Sequence, residues 1–241
     1  MNPAQPVTIT VEPFGDSAVM VTVTHPDQTI RRTGIVRFRD AFLARRPYGV
    51  LDIVSGLESL LIEFDPLLTA PQHLEYAARL LAESLPAADQ PPRTARRFAI
   101  PVVFDEETGP DLTSVAAEIG LPPGEVVASV TGSTFTISLL GAAMAPMMEG
   151  LEVSRPVRRR AEPRTDVAPG SIMIAGTNAI IQPFPGPTGW RVVGRTPRTI
   201  VDISRPDPVS YAPGDLVRFV PVTRDEAEVL SGFLLPEETA A

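Results

Sequence analysis

Between Ile174 and Pro197 the chain reads IAGTNAIIQPFPGPTGWRVVGRTP, and this stretch leaves the fold little freedom. Short strand-like pairs alternate with glycine and proline corners, and corners this dense belong to a closed β structure. The stretch also carries the only tryptophan, Trp190. Alternation sets Trp190 and Val192 on one side of a strand and Arg191 and Val193 on the other, which predicts an apolar face inward and a polar face outward. Gly194 ends that strand and pushes Arg195 out at the rim. The segment reads as the wall of a pocket or of a partner-docking face.

The rest of the second half extends this pattern. Strands are predicted over Phe135–Leu140, Ser171–Ile174, Ile180–Pro183, Trp190–Val193, Thr199–Ile203 and Leu216–Val222, with Pro213-Gly214-Asp215 as a tight turn into the last. Ile100–Phe104 precedes them as a further strand, and Asp111 caps a short helix whose Leu112, Val115 and Ile119 point one way before Gly120 closes it. A second short helix covers Glu125–Ser129 and ends near Gly132, and Asp225–Leu230 forms a terminal helical turn. Regularly spaced short strands of this kind predict a barrel or sandwich.

The first half has a different grammar. Val7–Glu12 and Ala18–Thr24 alternate as two strands around the turn Phe14-Gly15-Asp16-Ser17. Asp27 caps a helix with Ile30, Ile35, Phe38 and Phe42 on one face, Gly34 marks a close contact, and Pro47 stops it. Val50–Val54 and Ser59–Phe64 form a second strand pair. Thr69 and Gln72 form a capping box, with Pro71 inside the first turn, for a helix bearing Leu74, Ala78, Leu81 and Leu85. The order ββαββα predicts a small two-layer α+β domain over residues 1–87. Pro86–Arg97 is proline-rich, charged and aperiodic, a linker to a second domain over 98–241.

Composition then restricts the chemistry. The chain has no cysteine and no lysine, so thiol nucleophiles, disulfides, cysteine metal sites, Schiff bases and a phosphate-loop lysine are excluded. Its two histidines, His25 and His73, lie far apart without metal-ligand spacing, and no metal is predicted. A formal net charge of -8 argues against nucleic acid as the partner. No run approaches the ~20 apolar residues of a membrane span, and no leader pattern opens the chain, so a cytoplasmic protein is expected.

Several groups have more than one reading. Arg155, Arg158, Arg159, Arg160 and Arg164 are either a solvated face or guanidinium forks for carboxylate or phosphate. Arg195 is either an anion contact or half of a salt bridge that fixes its loop. Met144, Met147 and Met148 around Pro146 form a core filler, a lid or a partner patch. Asp16 and Ser17 fit a turn better than a catalytic pair, and Asp105, Glu106 and Glu107 fit a solvated acidic loop.

An ordered set of short motifs carries a resemblance over nearly the whole chain. These are Phe14-Gly15-Asp16-Ser17-Ala18, Leu60-Leu61-Ile62-Glu63-Phe64-Asp65, Ile100-Pro101-Val102, Gly109-Pro110-Asp111-Leu112, Pro163-Arg164-Thr165, Pro169-Gly170-Ser171, Ile174-Ala175-Gly176, Gly189-Trp190, Gly194-Arg195-Thr196-Pro197 and Pro213-Gly214-Asp215-Leu216-Val217-Arg218-Phe219. In this order they resemble the family of allophanate hydrolase subunit 1, also called the 5-oxoprolinase B-subunit family, which includes a sporulation kinase inhibitor.

The resemblance implies an α+β amino-terminal domain followed by a cyclophilin-like β-barrel, and a second subunit with a similar core as partner. It implies a heteromeric hydrolase acting on a small amide or lactam, with ATP attached to the reaction by resemblance only and the catalytic residues unassigned. In that picture Arg164 and Arg195 hold an anionic substrate group, Asn178 donates to a carbonyl oxygen and Trp190 packs the wall. The alternative is a non-catalytic regulatory or binding module such as a histidine kinase inhibitor. Three departures from the family pattern bear on the choice: Val130 replaces a histidine, Gly141–Met148 replaces an aromatic-proline-glycine segment, and Thr177–Ile180 replaces Gly-Gln-Thr-Gly.

Overall fold

The computed structural model describes residues 7–45, 47–84 and 94–237. The chain divides into two compact units, residues 1–94 and 95–241. Unit 1 contains β1 (Thr8–Pro13), β2 (Ala18–Thr24), α1 (Gln28–Arg45), β3 (Val50–Ser55), β4 (Ser59–Phe64) and α2 (Pro71–Ser84). The antiparallel sheet has the order β1-β2-β4-β3. Alternation in β2 and β4 turns Val19, Val21, Val23, Leu60, Ile62 and Phe64 to one face, where Ile35, Phe38 and Phe42 of α1 and Leu74, Ala78 and Leu81 of α2 cover them. This is the expected ββαββα layer pair.

Two local expectations in unit 1 are corrected. Ile30 stays exposed, because the face that packs on the sheet begins at Ile35. The capping box at Thr69 does not form, since α2 starts at Pro71 and Thr69 sits a residue too early; its amide bonds back to Asp65 O at 3.1 Å. Gly34 does mark a close contact, as a β-carbon there would lie 3.0 Å from a Val23 methyl. Leu85 and most of the expected linker lie outside the described residues.

Unit 2 starts with β5 (Arg97–Val102), one residue before the expected boundary at Phe98 and inside the expected linker. It continues with α3 (Leu112–Ile119), α4 (Pro123–Gly132), β6 (Phe135–Leu140), β7 (Pro146–Glu149), β8 (Arg164–Val167), β9 (Ser171–Ala175), β10 (Asn178–Ile181), β11 (Gly186–Thr188), β12 (Arg191–Arg195), β13 (Arg198–Thr199), β14 (Leu216–Pro221), α5 (Arg224–Val229) and β15 (Gly232–Phe233). Seven strands form one sheet in the order β12-β9-β10-β7-β6-β14-β5. Val103, just past β5, then pairs with Arg195 of β12 through both amides, at 2.9 and 3.0 Å. That bridge joins the two outer strands at one residue pair and nearly closes the sheet into a barrel, which shortens its free edges.

The seam requires glycine. A β-carbon on Gly194 would sit 2.9 Å from Val103 O and 2.8 Å from a Val102 methyl, so only a bare backbone lets β12 meet β5. On the opposite flank, the fully buried Asp215 accepts from the Arg96 amide at 2.9 Å and from its Nη2 at 2.8 Å, which sets the register of the parallel pair β14–β5.

Inside lies a core of Phe98, Ile100, Phe135, Ile137, Met148, Ile172, Ile174, Ile181, Val193 and Phe219, roofed by Val115, Ile119, Val126 and Val130 of α3 and α4. The sequence left β7, β8 and β11 unassigned. Met148 is core and Met147 is half-buried in β7, so these methionines form a barrel strand rather than a lid. The strand expected over Thr199–Ile203 is confined to Arg198–Thr199.

Trp190 and its neighbours also depart from expectation. β12 is apolar on both faces, because Val193 points into the main core while Val192 joins Val167, Met173, Ile180 and Trp190 in a second cluster. A bulge between Val192 and Gly194 breaks simple alternation, and the ribbon β8–β11 supplies Val167 to that second cluster. All five residues of β9 are buried for the same reason.

Candidate functional site

The chain after β5 folds back on itself before it enters α3. Asp105 Oδ1 accepts from the amides of Glu107 and Thr108 at 3.1 and 2.8 Å, while Thr108 Oγ1 donates to Val103 O at 2.8 Å. This turn lays Gly109 on β12, where a β-carbon would meet Val193 O at 2.2 Å. Asp111 follows and pairs with Val192 like a strand partner. Its amide donates to Val192 O at 3.0 Å, and the Val192 amide donates to its Oδ2 at 2.9 Å.

Asp111 therefore does not cap α3 with its side chain, as the sequence suggested; the carboxylate turns away to β12 and to two arginines. Arg164, at the start of β8, donates Nε to Oδ2 at 3.2 Å and Nη2 to Oδ1 at 2.9 Å, and Arg160 donates Nη1 to Oδ1. Burial alone would raise the Asp111 pKa, but the Arg164 fork, the Val192 amide and the charge of Arg160 outweigh it and hold the group below its ordinary value. The same pairing raises Arg164. A second carboxylate works alongside. Glu118 of α3 binds Arg191 Nη2 at 3.2 Å and accepts the Arg158 amide at 2.6 Å.

The four residues expected to bind substrate are not in one place. Arg164 is bound to Asp111 beside β12. Trp190 lies at the entry to β12, with its amide on Thr188 Oγ1 at 3.1 Å, and Thr188 is the cross-strand neighbour of Arg164. Asn178 opens β10 opposite Ala175, at the same end of β9 as Arg191. Arg195 stands at the other end, opposite Ser171, on the order of 15 Å along the strand from Trp190. It is exposed, and its guanidinium has no partner among the described residues.

Val130 is fully buried and packs in the barrel core. A groove beside α4 is lined by Glu125, Ala128, Ser129, Gly132 and Glu152, with no cation on its wall. His25 Nδ1 accepts from the Asp27 amide at 2.9 Å, and His73 is exposed on α2, both in unit 1. Among the described residues no three His, Asp or Glu side chains gather at a point suited to a metal ion. No described helix is long and apolar enough to cross a membrane.

Asp111, Glu118 and Asp215 organise this unit through their arginines; the sequence reading assigned Asp111 to a helix cap and Asp215 to a turn, and passed over Glu118. The available signal was indirect: five arginines between residues 155 and 164 demand counter-charges, and Gly-Pro-Asp-Leu stands among the ordered motifs together with Pro-Arg-Thr.

Comparison with known proteins accounts for that order of motifs. The family model for the carboxyltransferase domain, subdomain C and D, matches residues 9–211. The 5-oxoprolinase B-subunit of Escherichia coli O157:H7 is 32% identical over 210 residues, covering 86% of this chain and 94% of the relative. The 5-oxoprolinase B-subunit of Bacillus subtilis (strain 168) is 28% identical over 227 residues, covering 90% and 94%. A crystal structure of TTHA0988 superposes with a TM-score of 0.72 at 26% identity over 86% of this chain, which spans 40% of that longer protein. With both a family model and a relative matched over most of its length, this chain belongs to the carboxyltransferase-domain family of subdomains C and D, alongside the B-subunits of 5-oxoprolinase.

Proposed function

We propose that this chain is one subunit of a heteromeric lactam hydrolase of the 5-oxoprolinase type, with a site completed by a companion subunit. The observation that carries the reading is the 5-oxoprolinase B-subunit of Escherichia coli O157:H7, matched over 94% of its own length, so the likeness extends beyond one shared domain. In the proposed reaction the ring C–N bond of 5-oxoproline breaks. Water adds its hydroxyl to the carbonyl carbon and a proton to the ring nitrogen, which gives the open amino acid.

The side-chain inventory supports a shared site. Unit 2 has no lysine, cysteine or histidine, and its buried carboxylates Asp111 and Asp215 are both engaged by arginines. We therefore assign the proton-transfer group to the companion subunit. Arg195, exposed and held on both sides of its backbone by Val103, suits the carboxylate of the substrate. Asn178, Trp190 and Arg164 lie too far along the barrel to grip the same small ring.

ATP finds no fitting cradle at the helix starts of unit 2. Asp111 stands at the entrance to α3, Pro122 and Pro123 remove amides at α4, and Asp225 and Glu226 occupy the first turn of α5. The nucleotide is therefore assigned to the companion subunits.

A deletion strain tests the reading. Cells lacking the chain accumulate 5-oxoproline and regain wild-type levels when the gene is restored; unchanged 5-oxoproline on deletion contradicts it.

A further inference from the structure

The segment 155–160 reads RPVRRR and crosses the barrel as a strap whose backbone is held at several points. Val157 pairs with Gly176 through both amides, at 2.6 and 3.0 Å, and is buried. The Arg158 amide donates to Glu118 Oε1 at 2.6 Å, Arg191 Nε donates to Arg158 O at 3.2 Å, and the Arg160 amide donates to Gly189 O at 2.8 Å. The arginines on this strap are treated unequally. Arg160 is spent on Asp111, whereas Arg158 and Arg159 are exposed. The Arg158 guanidinium has no partner among the described residues, and that of Arg159 lies over the half-buried Trp190 ring at 5.7 Å.

The nearby carboxylates best placed to neutralise these cations are already committed: Asp111 to Arg160 and Arg164, Glu118 to Arg191. From 155 to 164 the sequence holds five arginines and one glutamate in a chain whose net charge is -8. A cationic patch is thus fixed on an acidic protein, and its backbone is ordered before any ligand arrives, which lowers the entropic cost of binding. Arg158 and Arg159 are exposed, so their guanidiniums are open to a protein segment. Arginine and tryptophan are both among the residues enriched at binding hot spots. Nucleic acid is disfavoured by the overall negative charge.

From this geometry we infer that Arg158, Arg159 and Trp190 form the docking face for a carboxylate-rich segment of the companion subunit. The inference rests on the subunit reading above for the partner's identity, and on the strap itself for the chemistry.

The test compares wild type with the double variant Arg158→Glu, Arg159→Glu, each produced together with the companion subunits, after circular dichroism and thermal midpoint confirm that the variant folds. Affinity for the companion should fall at least tenfold in the variant, and wild-type affinity should weaken with salt more steeply than the variant's. Equal affinity and equal salt dependence overturn the inference. If wild type itself retains no companion, the subunit reading fails and the strap is tested alone, through the fluorescence of Trp190, the only tryptophan. A response to poly-L-glutamate at least tenfold tighter than to inorganic phosphate, and lost in the double variant, upholds an acidic-segment site. No response, or phosphate binding as tight as poly-L-glutamate, overturns it.

Discussion

Arg164 meets Asp111 with two parallel hydrogen bonds, Nε to Oδ2 at 3.2 Å and Nη2 to Oδ1 at 2.9 Å, across 53 positions of sequence. Arg160 joins the same carboxylate, which is itself only 2% exposed. The arrangement ties the basic segment and β8 to the corner before α3 and, through the Val192 amide, to β12.

Asp111→Ala should therefore leave two guanidiniums and one buried amide without their acceptor. A cost of about 2–4 kcal/mol is expected by urea unfolding, toward the lower end for breaking a buried pair, because the arginine side chains keep 25% and 32% exposure. Arg164→Lys keeps the charge but loses the fork, and should recover less than half of the loss caused by Arg164→Ala.

The acid limb of stability should carry the signature of Asp105. The hydrogen bond from Arg224, at 2.6 Å, leads the causes that lower the Asp105 pKa to about 2, with Thr108 adding to it. The folded value lies below the unfolded value of about 3.9, so this contribution is complete above pH ~4 and is lost as pH falls toward 2. In Arg224→Gln, the thermal midpoint should fall less steeply across that window than in wild type.

Glycine substitutions separate the seam from the surface. Gly109→Ala places a β-carbon 2.2 Å from Val193 O, against backbone that is held in the barrel, so the soluble yield or thermal midpoint should drop sharply, with a loss of roughly 4 kcal/mol or more. Gly124→Ala in α4 meets nothing within 4 Å and should stabilise the protein by about 0.5–1 kcal/mol. Equal behaviour of the two variants would contradict the packing of Gly109 on β12.

The turn before β7 stores strain. Ala143 and Met144 both sit in the left-handed region, at φ 54° and 60°, and the Tyr211 hydroxyl donates to Met144 O at 3.0 Å. Burial pushes the Tyr211 pKa far up, so the group is a permanent donor. Ala143→Gly should raise stability by about 0.5–1 kcal/mol, and Tyr211→Phe should lower it by about 1 kcal/mol, both read from denaturant midpoints.

How much of this was legible in the sequence depended on how local the cause was. The ββαββα layer of unit 1 was readable because Val19, Val21 and Val23 alternate and Leu74, Ala78 and Leu81 recur at helical spacing within single elements. β7 and β11 were not, since each contains a proline, which argues against a strand when only the local sequence is read. The inward turn of Val193 follows from a bulge that alternation cannot show. Asp111 looked like a helix cap because an aspartate before a helix has that local use; its partners stand 49 and 53 positions away. Of the candidate site, the exposure of Arg195 was foreseen, but not its reason: β12 does not end at Gly194 and runs through it to Arg195. The separation of Arg195 from Trp190 follows from the length of β12.

The most direct test of the subunit assignment is reconstitution. Purified chain and its companion subunits are assayed for ATP-dependent opening of 5-oxoproline, separately and mixed at increasing ratios. The account predicts negligible turnover from the isolated chain, turnover that rises and saturates at a fixed ratio on mixing, and a raised KM for 5-oxoproline when Arg195→Ala replaces wild type. Turnover by the isolated chain, or full turnover by the companions without it, would contradict the account.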